Sequence, residues 1–99
     1  MPSFKLQLTD EADAQLEELR ANPSLAKGLK SVRKALAHLE ANPRHPGLRT
    51  HRYQALKGPR DEDVFEAYAE NRTPGAYRII WHYGPGHGKI TIVSIIPHP

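Results

Sequence analysis

The first segment of the chain alternates apolar and polar side chains. Phe4, Leu6 and Leu8 are separated by Lys5 and Gln7, which is the period of a strand with one buried face. The alternation therefore predicts a short N-terminal strand whose apolar side chains point into a core.

Two helices are predicted after this strand. Thr9 or Asp10 can cap the first helix, and the acidic side chains that follow suit the positive end of its dipole. This helix should end near Asn22, where Asn22-Pro23 is a second start signal. The second helix has apolar side chains at steps of 4, 3, 4 and 3 residues: Leu25, Leu29, Val32, Leu36 and Leu39. It should end before Pro43 and form an antiparallel hairpin with the first.

The rest of the chain has the period of strands. A loop rich in proline and glycine, 42–48, precedes four candidate strands. Turns are predicted at Thr73-Pro74-Gly75 and in the glycine-rich segment 84–88. The candidate strands are 50–56, 64–69, 77–83 and 89–96, and the last two are the richest in β-branched and aromatic residues.

This order of elements predicts the fold class. We expect an α+β domain with an N-terminal strand, an antiparallel helix hairpin and a three- to four-stranded antiparallel C-terminal sheet. The continuous apolar sequence of the last strand places it inside the sheet. The helices would cover one face of the sheet and leave the other open for function.

Composition narrows the class of protein. The chain has 99 residues, of which 38% are hydrophobic and 25% charged, as in an ordinary globular domain. Its length predicts a single domain over residues 1–99. No apolar run approaches the roughly 20 residues of a membrane span, and the first residues do not form a secretory signal, so the expected location is cytoplasmic. The absence of cysteine excludes disulfide scaffolds, thiolate metal sites and cysteine nucleophiles.

Positive charge is concentrated in the middle third of the chain. Segment 27–60 holds nine basic side chains against Glu40 alone, although the net charge of the chain is only +3. Such a stretch suggests a polyanionic partner, most simply nucleic acid, while a solvated helix face is sufficient to explain its helical lysines. The candidate RNA-binding residues are Lys30, Lys34, Arg44, Arg49, Arg52 and Lys57.

Candidate chemistry lies on the predicted strands. Alternation along the third candidate strand places Arg78 and His82 on the face away from the helices. The same alternation, continued past the last strand, brings His98 to that face, and Glu66 and Tyr68 lie on the neighbouring strand. Histidine carries protons near neutral pH, and arginine binds phosphate oxygens. This set could therefore cleave RNA without a metal ion.

Each of these residues also has a structural interpretation. Arg78 could pair with Glu66 across strands, His82 could be a solvated strand residue, and His98 lies where chain ends are often frayed. The histidine pairs five or six residues apart are weak metal-ligand spacings, and serine-nucleophile and phosphate-loop motifs are absent. No metal or cofactor is expected.

The layout resembles the RelE/ParE superfamily of type II toxins over nearly the whole chain. The resemblance rests on the loop NPRHPGL after the second helix, the strand GAYRIIWHY and the final strand ITIVSIIPHP. It implies a β-α-α-β-β-β fold. In the branches that cleave messenger RNA, an arginine contacts the scissile phosphate, and Arg78 matches it. Several of these branches place a histidine just beyond the last strand as a proton carrier, and His98 matches that position.

The resemblance implies a metal-independent, ribosome-dependent endoribonuclease that a small antitoxin protein holds inactive. Glu66, Tyr68 and His82 would be secondary candidates for its chemistry. The chain departs from one nuclease branch by having Glu66 and Tyr68 in place of two lysines, and from another by ending in His98-Pro99 rather than His-Tyr. A gyrase-inhibiting branch shares the fold without a nuclease centre. The alternatives are therefore a protein-binding toxin or a non-toxic, antitoxin-binding relative.

Overall fold

The computed structural model describes residues 4–70 and 75–99. This part of the chain contains two α-helices and five strands. Residues 73 and 74 of the predicted turn lie outside the described residues. Among the described residues, no helix combines the length and the apolar content needed to cross a membrane. The elements are β1 (Lys5–Leu8), α1 (Asp10–Ala21), a 3-10 turn (Pro23–Leu25), α2 (Ala26–Ala41), a second 3-10 turn (Pro46–Leu48), β2 (His51–Lys57), β3 (Asp63–Tyr68), β4 (Tyr77–Tyr83) and β5 (Lys89–Pro97).

The five strands form one sheet in the order β1-β5-β4-β3-β2. The four C-terminal strands are antiparallel neighbours, whereas β1 pairs in parallel with β5, with Leu6 opposite Ile90. The predicted α+β class, helix hairpin and C-terminal antiparallel sheet are thus confirmed. β5 lies between two strands, in agreement with its continuous apolar sequence.

Both helix start signals are used, in different ways. The Thr9 hydroxyl accepts a hydrogen bond from the Ala12 amide at 3.1 Å and donates one to the Val93 carbonyl at 2.7 Å. The cap of α1 therefore also attaches this helix to β5. The Asn22 side chain caps the short 3-10 turn, and α2 begins only after that turn, at Ala26.

The helix hairpin covers one face of the sheet. Ile79 and Trp81 of β4 lie in the main core with Leu39 of α2, as the alternation along β4 predicts. The approach of α2 to β4 is close at Gly28, where a Cβ atom would lie 2.7 Å from the ring of Tyr77. A glycine at this position lets the helix backbone lie against an aromatic ring.

The opposite face is more covered than the sequence predicts. Ile80 and His82 lie on this face of β4, and only 1% and 2% of their surfaces are exposed. The pairing of β2 with β3 shifts in register, and such an irregularity bends a strand. The Tyr53 ring of β2 lies 5.7 Å from Cζ of Arg78, which belongs to a strand two positions away in the sheet. The expected open face is therefore a partly covered one.

Candidate active site

A buried carboxylate is the centre of the polar groups on this face. Glu66 of β3 is 4% exposed. Its Oε2 accepts a hydrogen bond from Nη1 of Arg78, and its Oε1 accepts one from the Tyr68 hydroxyl at 3.1 Å and lies 2.7 Å from Nε2 of His51. We call these four residues the Glu66 cluster. Both carboxylate oxygens have partners, as a buried charge requires.

Strand register brings the four side chains together. His51 is opposite Glu66 in the β2–β3 pairing, and Tyr68 is opposite Arg78 in the β3–β4 pairing. Directly paired residues share a face of the sheet, as do alternate residues of one strand. Arg78 therefore reaches Glu66 diagonally, and the cross-strand pair expected from the sequence is present.

The charge of Glu66 is set by two opposing effects. Burial alone would raise the pKa of the Glu66 carboxyl group, but the hydrogen bond and the positive charge of Arg78 lower it, and Tyr68 and His51 lower it further. The net pKa lies below the ordinary value, so Glu66 is an anion at neutral pH. An anionic partner accepts the Nε2 hydrogen of neutral His51, which leaves a lone pair on Nδ1.

His51 is the member of the cluster that sequence reasoning missed. Its side chain is 47% exposed, whereas that of Glu66 is only 5% exposed. Nδ1 lies 3.4 Å from the Arg49 carbonyl oxygen, which is too long for a strong hydrogen bond. A half-exposed imidazole with a carboxylate behind it is suited to accepting a proton. Its place opposite Glu66 depends on the strand register, for which the sequence carries no clear signal.

His98 lies close to the same cluster. Main-chain hydrogen bonds of 2.7 and 3.0 Å to the two residues before β4 hold it beyond the end of β5. The centre of its ring is 5.9 Å from that of Tyr68, and the His51 ring is 5.5 Å from Tyr68. Nδ1 of His98 lies 2.9 Å from the main-chain oxygen of Pro99. Because a main-chain oxygen only accepts, this contact places the hydrogen on Nδ1 and leaves Nε2 for proton transfer.

Arg78 retains an unused hydrogen-bond donor. Its side chain is 16% exposed, and Nη1 donates to Glu66. Its buried Nε has no hydrogen-bond partner in the described part of the chain. Nε is enclosed by protein atoms, so a phosphate oxygen would bind the guanidinium group through the exposed part of the side chain.

His82 lies on the same face but outside the cluster. Its Nδ1 lies 2.8 Å from the Tyr83 carbonyl, and its ring is buried. His82 is instead near Glu62. The pKa of Glu62 is lowered mainly by hydrogen bonds from the main-chain amides of Glu62 and Arg60, and to a smaller extent by electrostatic attraction to His82. Within residues 4–70 and 75–99, no three His, Asp or Glu side chains converge as a metal site would require.

The candidate RNA-binding residues form two groups. Arg52 and Lys57 both pair with Asp63, at 3.1 and 2.7 Å. The Lys57 hydrogen bond is the main reason that the pKa of Asp63 is lowered. The other four are exposed and have no ion pair with any described residue: Lys30, Lys34, Arg44 and Arg49.

Solved structures have the same arrangement of helices and strands. The YoeB/ParE toxin from Agrobacterium tumefaciens matches 97% of this chain with 100% of its own chain, at a TM-score of 0.70 and 11% sequence identity. This chain has the RelE/ParE toxin fold. A chain of the archaeal RelE–RelB complex from Pyrococcus horikoshii has a TM-score of 0.64 and 17% identity, with 96% of this chain and 94% of that one covered.

The YoeB dimer from Staphylococcus aureus is a further example of the RelE/ParE fold. It has a TM-score of 0.63 and 14% identity, with 98% of this chain and 99% of that chain covered. No protein-family model and no curated protein matches the chain. Structural likeness at such low identity establishes the RelE/ParE fold predicted from the sequence, and function has to be argued from the site.

Proposed function

We propose that this chain is the toxin of a type II toxin–antitoxin system and cleaves messenger RNA in the cytoplasm without a metal ion. The observation that carries the proposal is the Glu66 cluster, in which one carboxylate joins Arg78 to the half-exposed His51, with His98 close by. The fold, shared with a YoeB/ParE toxin and with a RelE–RelB complex, supports it. Dependence on the ribosome and control by an antitoxin are expected from that likeness.

The arrangement suits a reaction with two proton transfers. Nδ1 of His51 accepts the proton of a ribose 2′-hydroxyl, while Nε2–H stays bonded to Glu66 and the imidazolium ion is stabilised. The 2′-oxygen forms a bond to phosphorus as the bond to the 5′-oxygen breaks. Nε2 of His98, in its protonated form, gives its proton to that leaving oxygen. The products are a 2′,3′-cyclic phosphate and a 5′-hydroxyl.

Arg78 would stabilise the charge that develops on phosphorus. The phosphorane carries more negative charge than the starting phosphate, and fixed donors are most effective where charge develops. The partly exposed guanidinium side chain of Arg78 would supply such a donor. Tyr68 has a positioning role, because its hydroxyl holds Oε1 of Glu66. Exposed cations such as Arg44 and Arg49 would attract the RNA backbone.

Cleavage of a reporter mRNA in a translating extract tests the proposal. The 5′ ends are mapped by primer extension for the wild type and for His51→Ala, His98→Ala and Arg78→Lys. His87→Ala is the matched control, because His87 is an exposed histidine of the β4–β5 loop. We expect new ends with the wild type and the control, and a loss of about 100-fold or more in the other three.

Arg78→Lys is chosen rather than Arg78→Ala because the alanine variant could lose cleavage simply by unfolding. Removal of one partner of a buried ion pair costs about 3–5 kcal/mol, whereas lysine keeps a positive charge beside Glu66. Circular dichroism confirms that each variant is folded. Intact mRNA at high concentrations of folded wild type would contradict the nuclease and favour a protein-binding toxin, in which Arg78 and Glu66 are a structural pair. Normal growth during full expression without an antitoxin would contradict the toxin itself.

A further inference from the structure

A second concave site lies on the other side of the sheet, beside the loop that joins α2 to β2. Its volume is about 470 Å³, within the range of roughly 300–1,000 Å³ that small-molecule sites occupy. Three aromatic side chains line it: Phe65, Trp81 and Tyr83. Phe65 precedes Glu66 on β3, so its side chain lies on the face opposite the Glu66 cluster. The pocket is therefore distinct from the candidate active site.

Two residues that line this pocket carry buried polar atoms without a hydrogen-bond partner. They are Nε1 of Trp81 and Oγ1 of Thr50, and within the described part of the chain only Nε of Arg78 shares this condition. Trp81 is 1% exposed. Buried indole N–H groups and hydroxyls are almost always hydrogen-bonded, so an unpaired group requires an explanation. Two such groups in one pocket indicate a ligand with a polar edge.

Positive charge borders the same pocket. Arg44 and Arg49 both line it, both are exposed, and neither has an ion pair with a described residue. Guanidinium groups bind phosphate oxygens through two parallel donors. Aromatic side chains stack with nucleobases, because every base has a π face.

We propose that this pocket binds a nucleotide, with the base against the aromatic side chains and the phosphate on Arg44 and Arg49. The base would accept the unpaired indole hydrogen of Trp81, and the Thr50 hydroxyl would bond to its polar edge. A nucleotide is favoured over an acidic peptide because one small unit supplies a planar ring, acceptor atoms and negative charge together. The nucleotide is either a free mononucleotide or one unit of a single-stranded RNA.

The chain offers a direct reporter for this site. Trp81 is the only tryptophan, so the ¹⁵N-labelled protein has a single indole N–H resonance. The full chain is titrated with uridine and adenosine 5′-monophosphates, with inorganic phosphate, and with an uncleavable 2′-O-methyl RNA oligonucleotide. We expect the mononucleotides to shift the resonance saturably with a Kd of about 1 mM or tighter. Phosphate alone should bind about tenfold more weakly or less.

The RNA titration distinguishes the two sources of the nucleotide. Tighter binding of the oligonucleotide than of either mononucleotide assigns the pocket to an RNA strand, and the reverse order assigns it to a free nucleotide. Both orders support a nucleotide site. The readout is binding alone, so its outcome is independent of whether the Glu66 cluster cleaves RNA.

Two variants test the proposed contacts. Tyr83→Leu removes a ring that is 39% exposed, and Arg44→Ala removes a phosphate partner; each should weaken binding about tenfold. Arg33→Ala, a change of an exposed arginine of α2 that does not line this pocket, removes the same charge and should leave affinity within about twofold.

Three results would overturn the proposal. The first is an indole resonance that moves neither with the mononucleotides at about 10 mM nor with the RNA oligonucleotide. The second is equal weakening by Arg33→Ala and Arg44→Ala, which would mean general attraction between charges. The third is a resonance that moves only with a glutamate-rich, phenylalanine-containing peptide, which would assign the pocket to a protein partner.

Discussion

Nε2 of His51 lies 2.7 Å from Oε1 of Glu66, and the contact joins a side chain that is 47% exposed to one that is 5% exposed. The buried carboxylate orients the ring, and about half of the imidazole side chain stays exposed on the side away from Glu66, where a substrate could approach. In the described part of the chain, no other histidine ring lies in contact with a side-chain carboxylate. This contact separates His51 from the other histidines as the proposed proton acceptor.

Replacement of His51 should impair cleavage far more than folding. We expect His51→Ala to reduce single-turnover cleavage about 100-fold or more. The free energy of unfolding should fall by only about 1 kcal/mol, because Glu66 keeps its contacts with Arg78 and Tyr68. Added imidazole should restore part of the cleavage, since it can replace the missing base. Unchanged cleavage by His51→Ala, or a loss that imidazole does not restore at all, would show that His51 is not the base.

The depressed pKa of Glu66 predicts a loss of stability in acid. A carboxyl group whose pKa is lower in the folded state contributes fully above its unfolded pKa of about 4.3. The contribution is lost as the pH falls through the lower folded pKa. Urea unfolding from neutral pH down to below about pH 4 should therefore show a steeper decline in the wild type than in Glu66→Gln. Glu18→Gln, a change of an exposed glutamate of α1, is the control; equal slopes in all three proteins would refute the assignment.

Two stacked histidines join α2 to the loop that follows it. The ring centres of His38 and His45 are 3.9 Å apart, and Nδ1 of His45 accepts a hydrogen bond from the Gly47 amide at 2.9 Å. Burial lowers the pKa of His38, and the neighbouring charge of Lys34 lowers it further. The folded protein therefore favours the neutral ring of His38.

This lowered pKa predicts a second pH dependence, nearer to neutrality. The unfolded chain binds a proton at His38 more readily than the folded chain, so stability falls as the pH decreases from above about 6.5 towards the folded pKa. His38→Phe keeps an aromatic ring on His45 but does not titrate. We expect urea unfolding to show a smaller decline in this variant than in the wild type. An identical decline would show that His38 does not contribute.

Gly28 and Tyr77 should be energetically coupled. A Cβ atom at position 28 would lie 2.7 and 3.1 Å from two atoms of the Tyr77 ring, so Gly28→Ala should lower the free energy of unfolding by about 1–2 kcal/mol. In a Tyr77→Ala background the clash is absent, and alanine should stabilise α2 by up to about 1 kcal/mol. Thermal or urea unfolding of the wild type, the two single variants and the double variant measures whether the effect of Gly28→Ala on the free energy of unfolding changes sign. A change of the same sign in both backgrounds would contradict the close approach.

Release of Arg52 and Lys57 should strengthen RNA binding. Asp63 pairs with both cations, and Asp63→Asn should free them with little effect on stability, because the groups are exposed. We expect tighter binding of single-stranded RNA and a steeper dependence of affinity on salt. Asp61→Asn removes the same charge from the β2–β3 loop, where Asp61 has no ion pair among the described residues. Equal effects of the two changes would show that only net charge matters.

Local sequence patterns were sufficient to predict the elements and the fold. The apolar seam of α2 and the alternation along β4 each follow from one period, and the side chains of Ile79 and Trp81 lie in the core as that period requires. Arg78, Glu66 and Tyr68 were correctly placed on one face, because alternation within each strand is a local property. The roles assigned to these residues stay predictions.

The register between β2 and β3 was beyond what these patterns could predict. His51 lies at the start of β2, where the strand signal is weak, and a change of one residue in register would place its side chain on the other face. The proximity of Tyr53 to Arg78 has a similar origin, because it depends on the path of β2, whose pairing with β3 shifts in register. From the sequence, His82 was placed with Arg78, Glu66 and Tyr68, whereas in the structure it lies outside the Glu66 cluster.

The parallel pairing of β1 with β5 affects when the sheet can form during synthesis of the chain. The hydrogen bond from Thr9 to Val93 spans 84 positions of the chain, and contacts between such distant segments form late. A growing polypeptide leaves the ribosome with β1 first, and β1 has no neighbour in the described sheet until β5 has been made. His98 follows β5 directly, so the last strand and the candidate proton donor arrive together. A partly synthesised chain possesses neither.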